Sequence, residues 1–201
     1  MASDLEAHMI SLERINQYAR IPSEAARHIS FDQDLDKTWP SKGEIHFKNV
    51  KMRYRQNLPL ILKGLDFKIL PRSKVGVVGR TGAGKSTLAV SMLRICEVES
   101  GSIVIDSVDI YNLGLQALRS AIAIIPQDPI LLSGTVRSNL DPFDSYDDAK
   151  LLQVLERVGL YNKSNLAAIS SLDDMVHEGG NNFSDGQRHL LLSHALFYKM
   201  P

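Results

Sequence analysis

The run Gly79-Arg80-Thr81-Gly82-Ala83-Gly84-Lys85-Ser86-Thr87, with the apolar stretch Val75-Gly76-Val77-Val78 before it, constrains this chain more than any other part of it. A buried-type strand entering a glycine-rich turn and then a helix is the order a phosphate cradle requires. The helix is expected from Ser86 to Cys96, with Leu88, Met92, Leu93 and Ile95 at helical spacing. A polyphosphate needs several N–H donors facing one concavity, and Gly79, Gly82 and Gly84 permit positive φ and close backbone approach. The new helix adds unpaired N–H groups and a positive dipole end, Lys85 reaches the β- and γ-phosphates, and the Ser86 hydroxyl ligates Mg²⁺.

At 201 residues and 44% hydrophobic content the chain suits one domain plus an appendage. Lys plus Arg equals Asp plus Glu at 23 each, so no charge excess argues for nucleic acid or an acidic membrane. Any ligand site must be local. The single cysteine, Cys96, excludes an internal disulfide and fits a reducing compartment. No apolar run reaches the roughly 18 residues of a membrane-spanning helix, and the polar start is no secretory signal.

Asp4 to Arg20 carries Leu5, Met9, Leu12, Ile15 and Tyr18 at helical period, and Ile21-Pro22 ends it. Such a helix either packs on the domain or tails a larger helical region upstream. Residues 23–42, polar and mixed in charge, read as a linker. Glu44 to Tyr54 and Leu60 to Leu70 alternate like strands around a Gln56-Asn57-Leu58-Pro59 turn. Tyr54 at the strand end is either an ordinary strand aromatic or a stacking surface for an adenine ring. Gly101 to Ile105 reads as a strand, Leu115 to Ser120 as a helix, and Ala121 to Ile125 as a strand ending in Pro126-Gln127-Asp128-Pro129. Ligands of open α/β sheets sit beyond strand carboxyl ends, so Gln127 either faces phosphates or is a solvated loop residue. Helices at Asp147 to Val158 and near Tyr161 to Ile169 form a helical insertion. A second glycine-rich helix start follows at Gly179 to Gln187, with a helix from about Arg188 to Tyr198; Ser184 there is either an N-cap or part of an anion site. The six His residues lack metal spacing, and Asp173-Asp174 reads as a solvated turn.

The cradle, Gln127 in Ile-Pro-Gln-Asp-Pro, and Phe183-Ser184-Asp185-Gly186-Gln187-Arg188 together resemble the nucleotide-binding domain of ATP-binding-cassette (ABC) transporters. Trp39-Pro40-Ser41-Lys42-Gly43-Glu44, the cradle itself and Ser133 to Phe143 resemble more closely the second such domain of the C subfamily, the multidrug-resistance-associated type. Ser11 to Ile15 is similar to the segment joining the last membrane helix to that domain. The resemblance implies an α/β P-loop NTPase fold with an antiparallel β subdomain and a helical subdomain, residues 1–42 leading in from a transmembrane domain and 43–201 forming the ATP-binding domain. It implies that Tyr54 stacks adenine, that Gly79, Thr81, Gly82, Ala83, Gly84, Lys85, Ser86 and Thr87 hold the phosphates of ATP, and that Ser86 and Gln127 bind Mg²⁺. Gln127 also senses the γ-phosphate. Ser184, Asp185, Gly186 and Gln187 become the signature motif, touching nucleotide held by a second ABC domain across a shared interface, at the cytoplasmic face of a membrane.

Asp185 departs from the small or apolar residue of the family, and a carboxylate there repels a γ-phosphate unless it turns away. His189 and His194 replace a usual Gln and Arg. The family's Walker B strand, with its Asp and catalytic Glu, and the switch histidine fall after Pro201. The expectation is therefore a truncated domain with an incomplete core sheet that binds ATP without hydrolysing it alone. A stand-alone, non-hydrolysing regulatory protein that pairs with another ABC domain is the alternative. A small-molecule kinase or GTPase would use the same loop but leaves the signature segment unexplained.

Overall fold

A computed structural model describes residues 2–161 and 169–197. It begins with α1 (Ala2–Ala19), whose Met9, Leu12, Ile15 and Tyr18 are exposed, so this apolar face is not buried against the domain. A short α2 (Phe31–Asp34) follows. The first layer is an antiparallel sheet of β1 (Ile45–Met52), β2 (Leu62–Ile69), β3 (Ser100–Ile105) and β4 (Val108–Asp109), ordered β2-β1-β3-β4. The expected hairpin of β1 and β2 forms, with Phe47 opposite Phe67 and their rings stacked at 4.6 Å.

The period of two in β1 breaks between the buried Phe47 and Val50. A bulge at Lys48 and Asn49, the latter at φ 47°, returns Val50 and Met52 to the core face. Its neighbours are glycines for that reason. A Cβ on Gly101 would meet Asn49 O at 2.4 Å, and one on Gly64 would meet Asn49 Oδ1 at 2.9 Å.

Between β2 and β3 runs α3 (Lys85–Met92), shorter than expected because Arg94 takes φ 50° two residues past its end. Arg94 is buried, donates to the carbonyls of Ile110 and Leu113, pairs with Glu97, and lies 4.6 Å from the centre of the Tyr111 ring. It locks the end of α3 to the 3-10 turn at Ile110–Asn112. Next is α4 (Leu115–Ala121).

The second layer has its own core. It contains β5 (Gly134–Thr135), α5 (Val136–Leu140), α6 (Asp148–Arg157), β6 (Met175–Val176) and α7 (Asp185–Phe197), packed around Val136, Leu151, Leu155, Ile169 and Leu191. Of the helix expected near residues 161–169, only Tyr161 and Ile169 are described, joined by a parallel bridge; 162–168 and the end after 197 lie outside the described residues.

Two expected strands require correction. Val75 to Val78 joins no sheet, and Val75, Val77 and Val78 are exposed; residues 122–125 join none either, Ala121 being the last residue of α4. A strand is defined by its ladder partners, and among the described residues none lies beside either run.

Residues 23–42 lie against the domain. The carbonyls of Ala26 and Arg27 accept from the first amides of α4, Leu115 and Gln116, which a helix start leaves unpaired. Asp32 accepts from the Gly114 amide at 2.8 Å, and the Trp39 indole donates to Ile105 O at 3.1 Å. Asp106, at the β3–β4 turn, accepts from the amides of Lys42, Gly43 and Glu44. Burial works to raise its pKa, but these backbone donors together hold it below the usual carboxylate value. Arg119 of α4 pairs with Glu24 and donates as well to Leu93 O and Arg94 O at the end of α3. The segment has no helical or strand period because its attachments are single side chains and backbone groups.

Candidate functional site

The cradle closes on itself through few contacts. Ala83 donates to Arg80 O, and Gly82 and Gly84 take φ 80° and 87°, alternating along the loop as an anion-binding nest does. Gly79, by contrast, shows no positive φ; its place is steric, since a Cβ would meet that of Ala83 at 3.3 Å. Gly84 starts α3, and a Cβ on it would meet Ile61 Cγ2 at 3.0 Å.

Lys85 and Ser86, in the first turn of α3, are exposed with Thr81, Gly82 and Ala83. Lys85 Nζ curls over the loop and donates to Gly79 O at 2.8 Å and Arg80 O at 2.9 Å. An ammonium, an exposed hydroxyl and a helix start are cationic and oxygen-based in character, a donor set that fits a polyphosphate. Among the described residues no group of three or more His, Cys, Asp or Glu side chains could hold a metal, so a cation here would rely on a hydroxyl and the ligand's own oxygens.

Tyr54 comes to the same place. It follows the end of β1, is 42% exposed, and its hydroxyl lies 3.1 Å from Oγ1 of the buried Thr87 in α3. The ring therefore stands beside the cradle helix with surface left to contact a ligand. A cavity of about 540 Å³ opens on it, walled in part by Arg53, Gln56 and Glu99. A second, apolar cavity of about 440 Å³ lies between β2 and the unpaired Val75 to Val78, and reaches Lys85 and Leu88.

Gln127 is exposed beyond the unpaired run 122–125, and among the described residues no hydrogen bond joins it to the cradle. The Ser184 to Gln187 segment opens α7 three residues earlier than the spacing predicts. Gln187 Oε1 accepts from the Ser184 amide at 2.8 Å, and Ser184 Oγ accepts from the Gln187 amide at 3.3 Å, a reciprocal cap. That cap explains the earlier start. Asp185 is turned into an ion pair with Arg188, which also donates to Gly179 O at 3.1 Å. The departure at Asp185 is thus met by a cation one turn along the same helix.

Among the arginines that the reading of the sequence does not single out are Arg53 beside Tyr54 and Arg119 on α4. Each bonds carbonyls and a carboxylate at positions fixed by folding. For Arg53 the one visible signal is its place next to the aromatic; its partner Glu99 is 46 residues away.

Residues 62–200 match the ABC transporter family. The chain is 48% identical to ABC transporter C family member 8 of Dictyostelium discoideum over 96% of its own length and 12% of that protein. It is 46% identical to human ATP-binding cassette sub-family C member 2 over 99% of its length and 13% of the relative, and 47% identical to the mouse protein of that name over 95% and 12%. The chain thus spans about an eighth of the length of these relatives.

Proposed function

This chain belongs to the ABC transporter family and is similar to its C-family members, and on that premise we propose that it is the second nucleotide-binding domain of a multidrug-resistance-associated type exporter. Its ligand is Mg-ATP. Tyr54 carries the adenine; Gly79, Thr81, Gly82, Ala83, Gly84, Lys85, Ser86 and Thr87 hold the phosphates; Ser86 and Gln127 hold the cation. The observation that carries the reading is the hydrogen bond between Tyr54 and Thr87, which unites the aromatic surface and the phosphate loop in one site although 33 residues separate them.

Residues 1–42 lead in from the transmembrane part and 43–201 form the ATP-binding domain. Ser184 to Gln187 serve a nucleotide held by a second ABC domain, so the partners are that domain and the transmembrane helices, with the chain at the cytoplasmic face of a membrane. Among the described residues no helix is long and apolar enough to cross one. The core sheet beside the cradle is completed by strands that pair with Val75 to Val78. The exposed Val75, Val77 and Val78 and the apolar cavity beside them support that completion.

When bound, Mg²⁺ supplies charge neutralisation at the phosphates. The chain's own residues do the rest: the ammonium of Lys85 exchanges two backbone acceptors for phosphate oxygens, α3 presents its N-terminal amides, and Tyr54 covers the base. Lys85→Ala should abolish Mg-ATP binding measured by titration calorimetry, and unchanged affinity would overturn the reading.

A further inference from the structure

Resting on the reading of Tyr54 as the base platform, we infer that Arg53 is a positioning residue that holds the loop of Tyr54 in its base-accepting form, with Glu99 as its anchor. Four of the guanidinium's five N–H bonds are engaged. Nε and Nη2 meet the two oxygens of Glu99 at 2.5 and 3.0 Å, while Nη1 donates to Gln56 O at 3.1 Å and Leu58 O at 3.3 Å. The two carbonyls belong to the turn Arg55–Leu58, which follows Tyr54 directly. Glu99 is itself fixed, because its amide donates to Lys51 O at 2.8 Å on β1.

The geometry divides the work. One face of the planar fork is set by a bidentate carboxylate, so its remaining edge has a fixed direction, and that edge gathers the loop. Tyr54 is then held at both ends, its backbone by this turn and its hydroxyl by Thr87. Arg53 and Glu99 are 30% and 48% exposed, and an ion pair at that exposure adds little to global stability. Its effect falls on the loop. A platform that must be ordered when the base arrives binds it more weakly than one already in place. The pairing also neutralises the Glu99 carboxylate at the wall of the cavity beside the ring.

The test compares Mg-ATP with Mg-tripolyphosphate, which has the phosphates and no base, by titration calorimetry on the full chain and its Tyr54→Ala, Arg53→Ala, Glu99→Gln and doubly substituted Arg53→Ala/Tyr54→Ala forms. Loss of base stacking in Tyr54→Ala should weaken ATP about tenfold. Arg53→Ala should weaken ATP about fivefold and Glu99→Gln less, both with tripolyphosphate affinity unchanged, and the double variant should bind no more weakly than Tyr54→Ala, because Arg53 acts through the ring. If Arg53→Ala fails to fold, Glu99→Gln carries the same comparison. An unchanged ATP affinity in Arg53→Ala and Glu99→Gln while Tyr54→Ala loses it overturns the role of Arg53. So does an equal loss for both ligands. A Tyr54→Ala form that keeps its preference for ATP over tripolyphosphate overturns instead the platform reading beneath it, as does failure of the unaltered chain to bind ATP.

Discussion

The Tyr54 hydroxyl lies 3.1 Å from Thr87 Oγ1, so the aromatic just past β1 is tied to the third residue of the helix that leaves the glycine loop. Thr87 is buried, and the bond is shielded on its side. Either hydroxyl can donate, and losing one leaves the other without that partner.

Thr87→Val keeps the volume and removes the hydroxyl. A neutral hydrogen bond contributes about 1 kcal/mol net, so ATP binding should weaken by about fivefold as the ring loosens. Thr87→Ser should retain the affinity. Equal binding by Thr87→Val and the parent, in a fluorescent-nucleotide titration, would show the bond to be incidental.

Gly84→Ala and Gly82→Ala separate two reasons for glycine. Both positions have positive φ, which costs an L-residue about 1–2 kcal/mol. Only at Gly84 does the new methyl also press on Ile61 and Leu62; around Gly82 there is open space. Thermal unfolding should therefore place Gly84→Ala below Gly82→Ala. The reverse order would mean that the loop differs from this geometry.

Asp106 makes attachment of residues 42–44 depend on acid. Its pKa is lowered in the fold, so its contribution is complete above the ordinary aspartate pKa of about 3.9 and disappears as pH falls through the lower folded value. Stability should be flat in this respect from neutral pH to about 5 and fall below about 4. Asp106→Ala should remove about 1 kcal/mol at neutral pH, discounted for its solvent-facing side, and flatten the acid limb of a denaturant midpoint against pH. An unaltered limb would exclude Asp106 as its source.

Arg119→Ala should loosen residues 24–27 from α4. Hydrogen exchange of the Leu115 and Gln116 amides, which donate to Ala26 O and Arg27 O, reports this directly and should accelerate. Glu24→Gln should have a smaller effect, because Arg119 keeps its bonds to Leu93 O and Arg94 O. Exchange rates unchanged in both would show that the backbone contacts suffice.

What could be read beforehand follows from where periodicity is a local property. Ile45, Phe47, Phe67 and Ile69 announce the hairpin because a half-buried strand alternates; the bulge at Asn49 is silent, since it is set by the neighbours that meet it. The glycine loop is legible because its conformation is intrinsic to glycine. Val75 to Val78 has strand composition, yet pairing belongs to two segments, and among the described residues no second one is present. The attachment of residues 23–42 is invisible for a different reason: Glu24, Asp32 and Trp39 each reach one partner far along the chain, which leaves no pattern. Arg53 likewise has meaning only once Glu99 has been brought beside it.

Arg119 ties two distant parts of the chain together. A single guanidinium bonds Glu24 on one side and, on the other, the carbonyls of Leu93 and Arg94 just past α3. The eight residues of that helix extend about 12 Å to the turn where Lys85 stands, and a hydrogen-bonded helix is stiff along its axis. The placement of residue 24 and of the phosphate end of α3 is therefore set through one shared side chain.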